Sequence, residues 1–291
     1  MVCLAKPERV LNPFGLIYKR PNHLFSSSRL RAFAGFIPYF YRMSFQDHFS
    51  KQAEIYLKAR PTYPDELYDY LAGISPTHNL CWDCATGNGQ AAVPLAKHFK
   101  KVIATDGSKS QIDNAVKREN IEYRVGTAEE SGLEPGSVDL ITVAQAAHWF
   151  KLDLFYKEAQ RIMVPNGVLA IWTYSEARIN KELDDLMEWF MYDLLHDYWP
   201  DGRWLVRGKY EALEFPFEQL PTPQFYCRLN WNKLQMLDYV RSWSSYNKYV
   251  SKHGTDPIEM LLPKLNLLWN DRETKLVEWP LHMKCAKLNS R

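Results

Sequence analysis

The sequence has few cysteines, little net charge and no long apolar run, and each absence excludes a class of protein. Five cysteines in 291 residues are too few and too scattered for a disulfide framework. The net charge of +2 and the isoelectric point near 8.1 give no sign of a basic face for nucleic acid. No segment approaches the roughly 18 apolar residues that a membrane span needs. We expect a soluble protein without a nucleic-acid or membrane partner.

The amino-terminal segment differs in composition from the rest of the chain. Residues 1–42 carry seven basic residues against one acid, Glu8. This composition is typical of an organelle transit peptide, and an unstructured extension upstream of a natural start at Met43 is the equal alternative. We therefore expect a basic, disordered segment outside the folded domain. The protein is then cytoplasmic, unless this segment directs import into an organelle.

The stretch from Leu80 to Gln90 predicts a nucleotide-type binding turn. A short apolar run ends in Asp83 and passes into the glycine-rich residues 86–89, and helix-spaced apolar positions follow from Leu95. Glycines let the backbone turn tightly and approach a ligand closely, and a following helix presents free N–H groups. The turn also fits the G-x-G-x-x-A form of a dinucleotide fingerprint. By itself it therefore leaves the cofactor open.

Two cysteines, Cys81 and Cys84, form a C-x-x-C on or at the end of this first predicted strand. A redox pair or half of a zinc site would be the functional interpretation. No second C-x-x-C exists in the chain. We expect buried, reduced strand residues and no metal site.

Four more strand patterns follow, and the acid at the end of the next strand is the second sign of a cofactor site. Asp106 ends that strand, where a carboxylate can accept both hydroxyls of a ribose. This position is shared by several classes of cofactor enzyme. The predicted parallel strands are 80–82, 101–106, 123–125, 138–143 and 168–172.

Three stretches resemble the class I S-adenosylmethionine-dependent methyltransferases. Residues 83–89 are similar to the motif D/E-x-G-x-G-x-G, with Ala85 in place of the first glycine. Residues 126–129 match Gly-x-Ala-Glu, a frequent form of the adenine-contacting loop in this family. Residues 144–150, reading AQAAHWF, and 56–64, reading YLKARPTYP, resemble the trans-aconitate methyltransferase-like small-molecule group.

The resemblance implies a fold and a domain organisation. The fold is α/β, a doubly wound, mostly parallel seven-stranded sheet of Rossmann-like type, with an antiparallel last strand and a helical, aromatic cap. Residues 43–75 would form an amino-terminal helical cap, and 76–175 the cofactor-binding core. Residues 176–291 would supply substrate-pocket helices and a final β-hairpin, and eight of the ten tryptophans fall after residue 150.

The resemblance also assigns roles to individual positions, with S-adenosyl-L-methionine as the cofactor. The cofactor-binding positions are Asp83, Ala85, Gly87, Gly89, Asp106, Ala128, Glu129 and Gln145. The substrate-binding positions are Tyr56, Arg60, Trp149, Trp243 and Ser244. His148 is the candidate catalytic residue. We expect a small-molecule acceptor and a monomer or homodimer.

The acceptor decides whether the reaction needs a base. A carboxylate is ionised at neutral pH and needs none. It would instead require cationic or hydrogen-bonding residues to hold it, with Arg60, Tyr56 and Ser244 as candidates. A hydroxyl would need a base, for which His148 is the candidate. Trp149 could add cation–π attraction to a sulfonium. A nicotinamide-dependent oxidoreductase and a cofactor-binding protein without catalysis are the alternatives.

Overall fold

The computed structural model describes residues 60–288 and the backbone of two short strands near the amino terminus. These strands, β1 (Arg9–Leu11) and β2 (Ile17–Lys19), pair with each other in antiparallel fashion. The chain divides into two units, Met1–Ser44 and Phe45–Arg291. The fold and the site described below belong to the second unit.

Two expectations lie outside the described residues. The predicted helix that opens the amino-terminal cap and the candidate substrate-binding residue Tyr56 both belong to the segment before Arg60. The interpretation of 1–42 as an extension or transit peptide also stays a prediction.

A seven-stranded sheet forms the centre of the second unit, in the order β5-β4-β3-β6-β7-β9-β8. The five strands β5, β4, β3, β6 and β7 run parallel to one another. Strand β9 runs antiparallel to both β7 and β8. The predicted Rossmann-like sheet with an antiparallel last strand is confirmed. The strands are β3 (Leu80–Cys84), β4 (Lys101–Asp106), β5 (Ile121–Val125), β6 (Val138–Ala144), β7 (Met163–Tyr174), β8 (Tyr226–Asn232) and β9 (Thr274–Leu288).

Helices cover the sheet and build the cap. They are α1 (Asp65–Ile74), α2 (Ala92–Leu95), α3 (Lys109–Asp113), α4 (Leu152–Ile162), α5 (Lys181–Trp189), α6 (Arg203–Arg207), α7 (Lys233–Arg241), α8 (Ser244–His253) and α9 (Ile258–Leu268). A π-helical turn, Phe190–Leu194, follows α5 directly. None of the helices in the described part of the chain is both long and apolar enough to cross a membrane.

The central strands are almost entirely buried because the parallel sheet is covered on both faces. In β6 the residues from Val138 to Val143 are all buried. Trp82 on β3 and Phe155 on α4 are fully buried and lie with ring centroids 6.2 Å apart. Burying one such side chain stabilises the fold by about 1.5–3 kcal/mol. The core therefore fixes the edge at which the parallel strands end, and the site lies at that edge.

The structure differs from the sequence-based expectations in two places. The predicted final β-hairpin is wrong, because three helices, α7 to α9, separate β8 from β9, although the two strands pair. The strand predicted at 168–172 begins five residues earlier than expected, because β7 starts at Met163. Asn166 adopts a positive φ of 61° there, and the register against β6 shifts between Val138 and Leu140. The first residues of β7 thus form an irregular part of the strand pair.

Candidate active site

Asp83 supports the glycine-rich turn from within the core. It lies at the end of β3 and is fully buried. Its Oδ2 accepts a hydrogen bond from Thr86 Oγ1 at 2.5 Å, and its Oδ1 accepts one from Thr142 Oγ1 at 2.8 Å. Burial raises the pKa of this carboxyl to about 6, and the two hydroxyl donors oppose the increase. Its position indicates that Asp83 shapes the turn rather than contacting a ligand directly.

The backbone of the turn takes up left-handed conformations at three positions. Ala85 has a φ of 55°, Gly87 of 59° and Gly89 of 91°. Glycine adopts these angles freely, whereas an L-residue such as Ala85 is disfavoured there by about 1–2 kcal/mol. A Cβ at Gly89 would overlap the Tyr123 hydroxyl, so close approach also requires glycine. Tyr123 belongs to none of the motifs named above, and its contact with the turn was not predicted from the sequence.

Asp106 joins the end of β4 to the same turn. Its Oδ2 accepts from the Gly87 N–H at 2.8 Å, and its Oδ1 accepts from the Ser108 N–H at 2.8 Å. Gln111 lies close by, with its Oε1 buried and without a hydrogen-bond partner among the described residues. That oxygen is 3.9 Å from the place of a Cβ on Gly87. A glycine turn, an acid at the strand end and an unsatisfied acceptor fit a ribose-bearing cofactor.

The two loops at the ends of β5 and β6 are tied together by Glu129. Its Oε1 accepts a hydrogen bond from the Lys151 N–H at 3.0 Å, just before α4 begins. The neighbouring Ala128 is buried, with 7% of its surface exposed. The Glu129 side chain therefore holds the predicted adenine-contacting loop against the loop that carries His148.

Gln145 connects the end of β6 to the end of β7. It has a left-handed φ of 59°, and its Oε1 accepts from Thr173 Oγ1 at 2.8 Å. Its Nε2 donates to the Tyr174 carbonyl oxygen at 3.5 Å. Strained backbone held by specific contacts is frequent at functional sites. Gln145 is therefore a link between the cofactor side and the region beyond β7.

His148 is half-buried, and its ring is packed against its neighbours. Its Nδ1 lies 2.8 Å from Tyr210 Oη, and a Cβ on Gly202 would come within 2.9 Å of its Cδ2. Burial, together with the charge of Arg203, lowers the pKa of His148 to about 4. The ring is therefore neutral at neutral pH. Trp149, with its ring centroid 4.8 Å from that of His148, is 52% exposed.

Two of the candidate substrate-binding residues, Arg60 and Trp243, contact the ring of Tyr239. The Arg60 guanidinium lies 5.4 Å from the Tyr239 ring centroid and donates to the Ser242 carbonyl oxygen at 3.3 Å. Trp243 is 3% exposed and meets Tyr239 edge to face, with ring centroids 5.4 Å apart. Ser244 follows as the first residue of α8. In the described part of the chain, no ring contact links Trp149 to these residues.

A cavity of about 170 Å³ lies beside this cluster, past the carboxyl end of β7. The parallel strands end at one edge of the sheet, so the cavity and the glycine turn lie at the same edge. Sequence reasoning anticipated only Trp243 among its lining residues. The large apolar and aromatic side chains of its lining are those of Met187, Met191, Met236, Tyr192, Tyr239 and Trp243.

The C-x-x-C pair takes no part in this site. Cys81 and Cys84 are free and buried, and burial raises the pKa of both thiols well above the ordinary value. Neither is poised to form a thiolate, which agrees with the structural interpretation. Between residues 60 and 288 no group of three or more His, Cys, Asp or Glu could hold a metal ion.

Comparisons with known proteins agree with the site geometry. The methyltransferase domain family matches residues 82–171. A Dictyostelium discoideum protein named as a methyltransferase is 36% identical over 251 residues, which cover 84% of this chain and 95% of that protein. CRG1 of Saccharomyces cerevisiae, named as an S-adenosylmethionine-dependent methyltransferase, is 24% identical over 69% of this chain and 82% of its own length.

A solved structure extends the agreement to the fold. A protein from Anaeromyxobacter dehalogenans, described as a type II methyltransferase, is 33% identical and superposes with a TM-score of 0.75. The match covers 80% of this chain and 99% of the other. The oxidoreductase and the non-catalytic interpretation find no support in these comparisons.

Proposed function

Because the chain belongs to the class I S-adenosylmethionine-dependent methyltransferases, we propose that it methylates an oxygen atom of a small molecule. The acceptor oxygen belongs to a carboxylate or a hydroxyl group. The trans-aconitate methyltransferase-like resemblance at residues 144–150 is consistent with this acceptor class. A monomer or homodimer remains our expectation for the active form.

The position of the cavity is the observation that carries the proposal. Its lining includes Glu176, two residues beyond Tyr174 at the end of β7, and Gln145 at the end of β6 donates a hydrogen bond to the Tyr174 carbonyl oxygen. A molecule in the cavity would thus lie beside the loop that faces the cofactor. A volume of about 170 Å³ suits a small organic group and not a folded protein or a nucleic-acid strand.

Positioning accounts for most of the chemistry that the protein must provide. When bound, S-adenosylmethionine supplies a methyl group on a sulfonium, and an acceptor oxygen must lie in line behind it. Holding two reactants in such a geometry can contribute about 7–11 kcal/mol to lowering the barrier. The rigid links from Gln145 to β7 and from Glu129 to α4 hold the loops that flank the acceptor.

The geometry favours a positioning role for His148 over that of a general base. With a pKa lowered to about 4, the ring is a weak proton acceptor for a hydroxyl. Its Nδ1 is engaged by Tyr210, which fixes the loop between β6 and α4. A carboxylate acceptor needs no base and fits this arrangement best. The role of His148 as a base stays a prediction.

The test is a methyl-transfer assay on acceptor classes. The purified full chain is incubated with S-adenosylmethionine and separate pools of small carboxylic acids, phenols, aliphatic alcohols and amines. Mass spectrometry then detects a gain of one methyl group. We expect methyl esters or ethers, and their loss in Asp106→Ala. Methylation confined to the amine pool, or to added protein, would contradict the proposal.

A further inference from the structure

Each acid that lines the cavity is paired with an arginine, whereas one lysine of the lining forms no ion pair within residues 60–288. This excess of positive charge favours an anionic acceptor. We infer that the cavity binds an acceptor with a single negative charge on an apolar body about the size of a benzene ring, and that Lys209 recognises the charge. The inference rests on the proposed function, because it assigns the acceptor side of that same site.

The acids that line the cavity are each faced by an arginine. Their carboxylates are therefore compensated, and a cationic acceptor would have to displace a guanidinium to reach one. The separations are 3.7 Å for Arg203 Nη2 and Glu176 Oε1, 3.7 Å for Arg178 Nη1 and Asp184 Oδ2, and 3.6 Å for Arg207 Nη2 and Glu188 Oε1.

Guanidinium groups also lie over two of the three aromatic rings that line the cavity. The Cζ of Arg207 lies 3.9 Å from the centroid of the Tyr192 ring, and that of Arg60 lies 5.4 Å from the centroid of Tyr239. These cation–π contacts already occupy one face of each ring, so that an ammonium ion would have to compete with a guanidinium there. The cavity therefore offers a cationic acceptor little gain in binding free energy.

Lys209 is the cationic residue of the lining that takes no part in these ion pairs. It lines the cavity and is exposed, and among the described residues it forms no ion pair. Its backbone has a left-handed φ of 57°, followed by 60° at Tyr210, so two adjacent residues adopt a conformation that favours glycine. Strain of this kind persists where surrounding contacts hold it, often at ligand sites.

The strained pair connects the cavity to the loop of the methyl-transfer site. Tyr210 is 1% exposed, and its hydroxyl meets His148 Nδ1 at 2.8 Å. His148 lies on the loop that follows β6. The conformation that buries Tyr210 against His148 also places Lys209 at the cavity. An anionic group held by Lys209 would thus be fixed relative to that loop.

The size and lining of the cavity set the body of the acceptor. Methionine side chains adapt their shape to an apolar ligand, and three of them, Met187, Met191 and Met236, line this cavity. Its volume is about 170 Å³, and an engineered cavity of about 150 Å³ is known to hold benzene. One ring or an equivalent branched chain therefore fits.

Calorimetric titration of three probes of equal size tests the inference. Benzoate, benzamide and benzylamine are titrated separately into the full chain saturated with S-adenosylhomocysteine. We expect benzoate to bind about 1.5-fold to fivefold more tightly than benzamide, the range for an exposed charge pair, and benzylamine to bind most weakly. Lys209→Met should remove the advantage of benzoate and leave benzamide unchanged.

Two further variants locate the effect. Lys157→Met removes an exposed lysine on α4, away from the cavity lining, and should change nothing. Met236→Phe enlarges a lining side chain and should weaken benzoate and benzamide alike. Binding of S-adenosylhomocysteine and the thermal unfolding midpoint confirm that each variant is folded.

The outcomes separate this inference from the proposed function. Preferred binding of benzylamine, an unchanged preference in Lys209→Met, or no binding of any probe by protein that binds S-adenosylhomocysteine would overturn the inference. The proposed function would survive if the methyl-transfer assay still yields methylated hydroxyl compounds. Conversely, tight benzoate binding without methyl transfer to any oxygen would support the cavity assignment and contradict the proposed function.

Discussion

The cofactor half and the acceptor half of this site are built in different ways. The turn after β3 depends on its own backbone angles and on contacts with the end of the neighbouring strand β4, as when the Gly87 N–H donates to Asp106. The acceptor half is held by side chains from distant parts of the chain, as when Arg60 bonds to Ser242. A fixed backbone suits a cofactor common to a large family, whereas side chains at a cavity can vary with the acceptor. The following predictions test this division.

The largest effect is expected from a methyl group at Gly89. Gly89→Ala adds a Cβ that overlaps the Tyr123 hydroxyl at a φ of 91°. We expect a loss of about 2–4 kcal/mol in the free energy of unfolding, together with weak S-adenosylmethionine binding. Chemical denaturation and calorimetry measure the two effects.

Two controls make the Gly89 experiment specific. Gly73→Ala lies in α1 with nothing within 4 Å of the new Cβ, and it should leave cofactor binding unchanged. Adding Tyr123→Phe to Gly89→Ala removes the overlapping hydroxyl and should recover part of the stability. Unimpaired binding in Gly89→Ala alone would show that the turn does not need close approach.

The next effect is a pH dependence that arises from Asp83. Its folded-state pKa is raised from 3.8 to about 6, so folding favours the protonated form and the contribution of Asp83 to stability falls as pH rises through that range. Relative to Asp83→Asn, wild-type protein should lose about 2 kcal/mol of stability between pH 4 and pH 7. Denaturation at several pH values measures this difference, and a constant difference would contradict a raised pKa.

A smaller effect, confined to the acceptor half, is expected from Arg60→Met. The variant removes the bonds to Ser242 and Tyr174 while retaining apolar contact with Tyr239. We expect about 1 kcal/mol of destabilisation and weaker acceptor binding, with S-adenosylmethionine affinity unchanged. A parallel loss of cofactor affinity would show that the two halves are not independent.

The smallest effect is a gain in stability. Ala85→Gly places glycine at a φ of 55°, where the family motif usually has it, and relieves a disfavoured backbone conformation. We expect a stabilisation of about 0.5–1 kcal/mol, since the greater freedom of glycine in the unfolded chain offsets part of the gain. Thermal unfolding with and without cofactor measures it. Destabilisation would mean that the Ala85 methyl contributes more through packing than its φ costs.

The division between the halves also explains what the sequence could predict. The turn, Asp106 and the parallel strands depend on neighbouring residues and on periodicity. Four of the five parallel strands were predicted to within two residues of their bounds, whereas β7 begins five residues before its predicted start. Tyr123 at Gly89, Tyr210 at His148 and Lys209 at the cavity arise from contacts across the fold, which leave no local pattern. The final hairpin was predicted wrongly. Strands β8 and β9 do pair, but three helices lie between them in the chain, and the sequence pattern of the strands does not reveal this insertion.

Calorimetric titration of S-adenosylmethionine and of NAD(H) into the full chain and into Asp106→Ala tests the central claim most directly. Asp153→Ala, in the first turn of α4, is the matched control. We predict S-adenosylmethionine binding in the micromolar range for wild-type protein and the control, its loss in Asp106→Ala, and no binding of NAD(H). Binding of NAD(H) alone, or undiminished S-adenosylmethionine affinity in Asp106→Ala, would contradict the account.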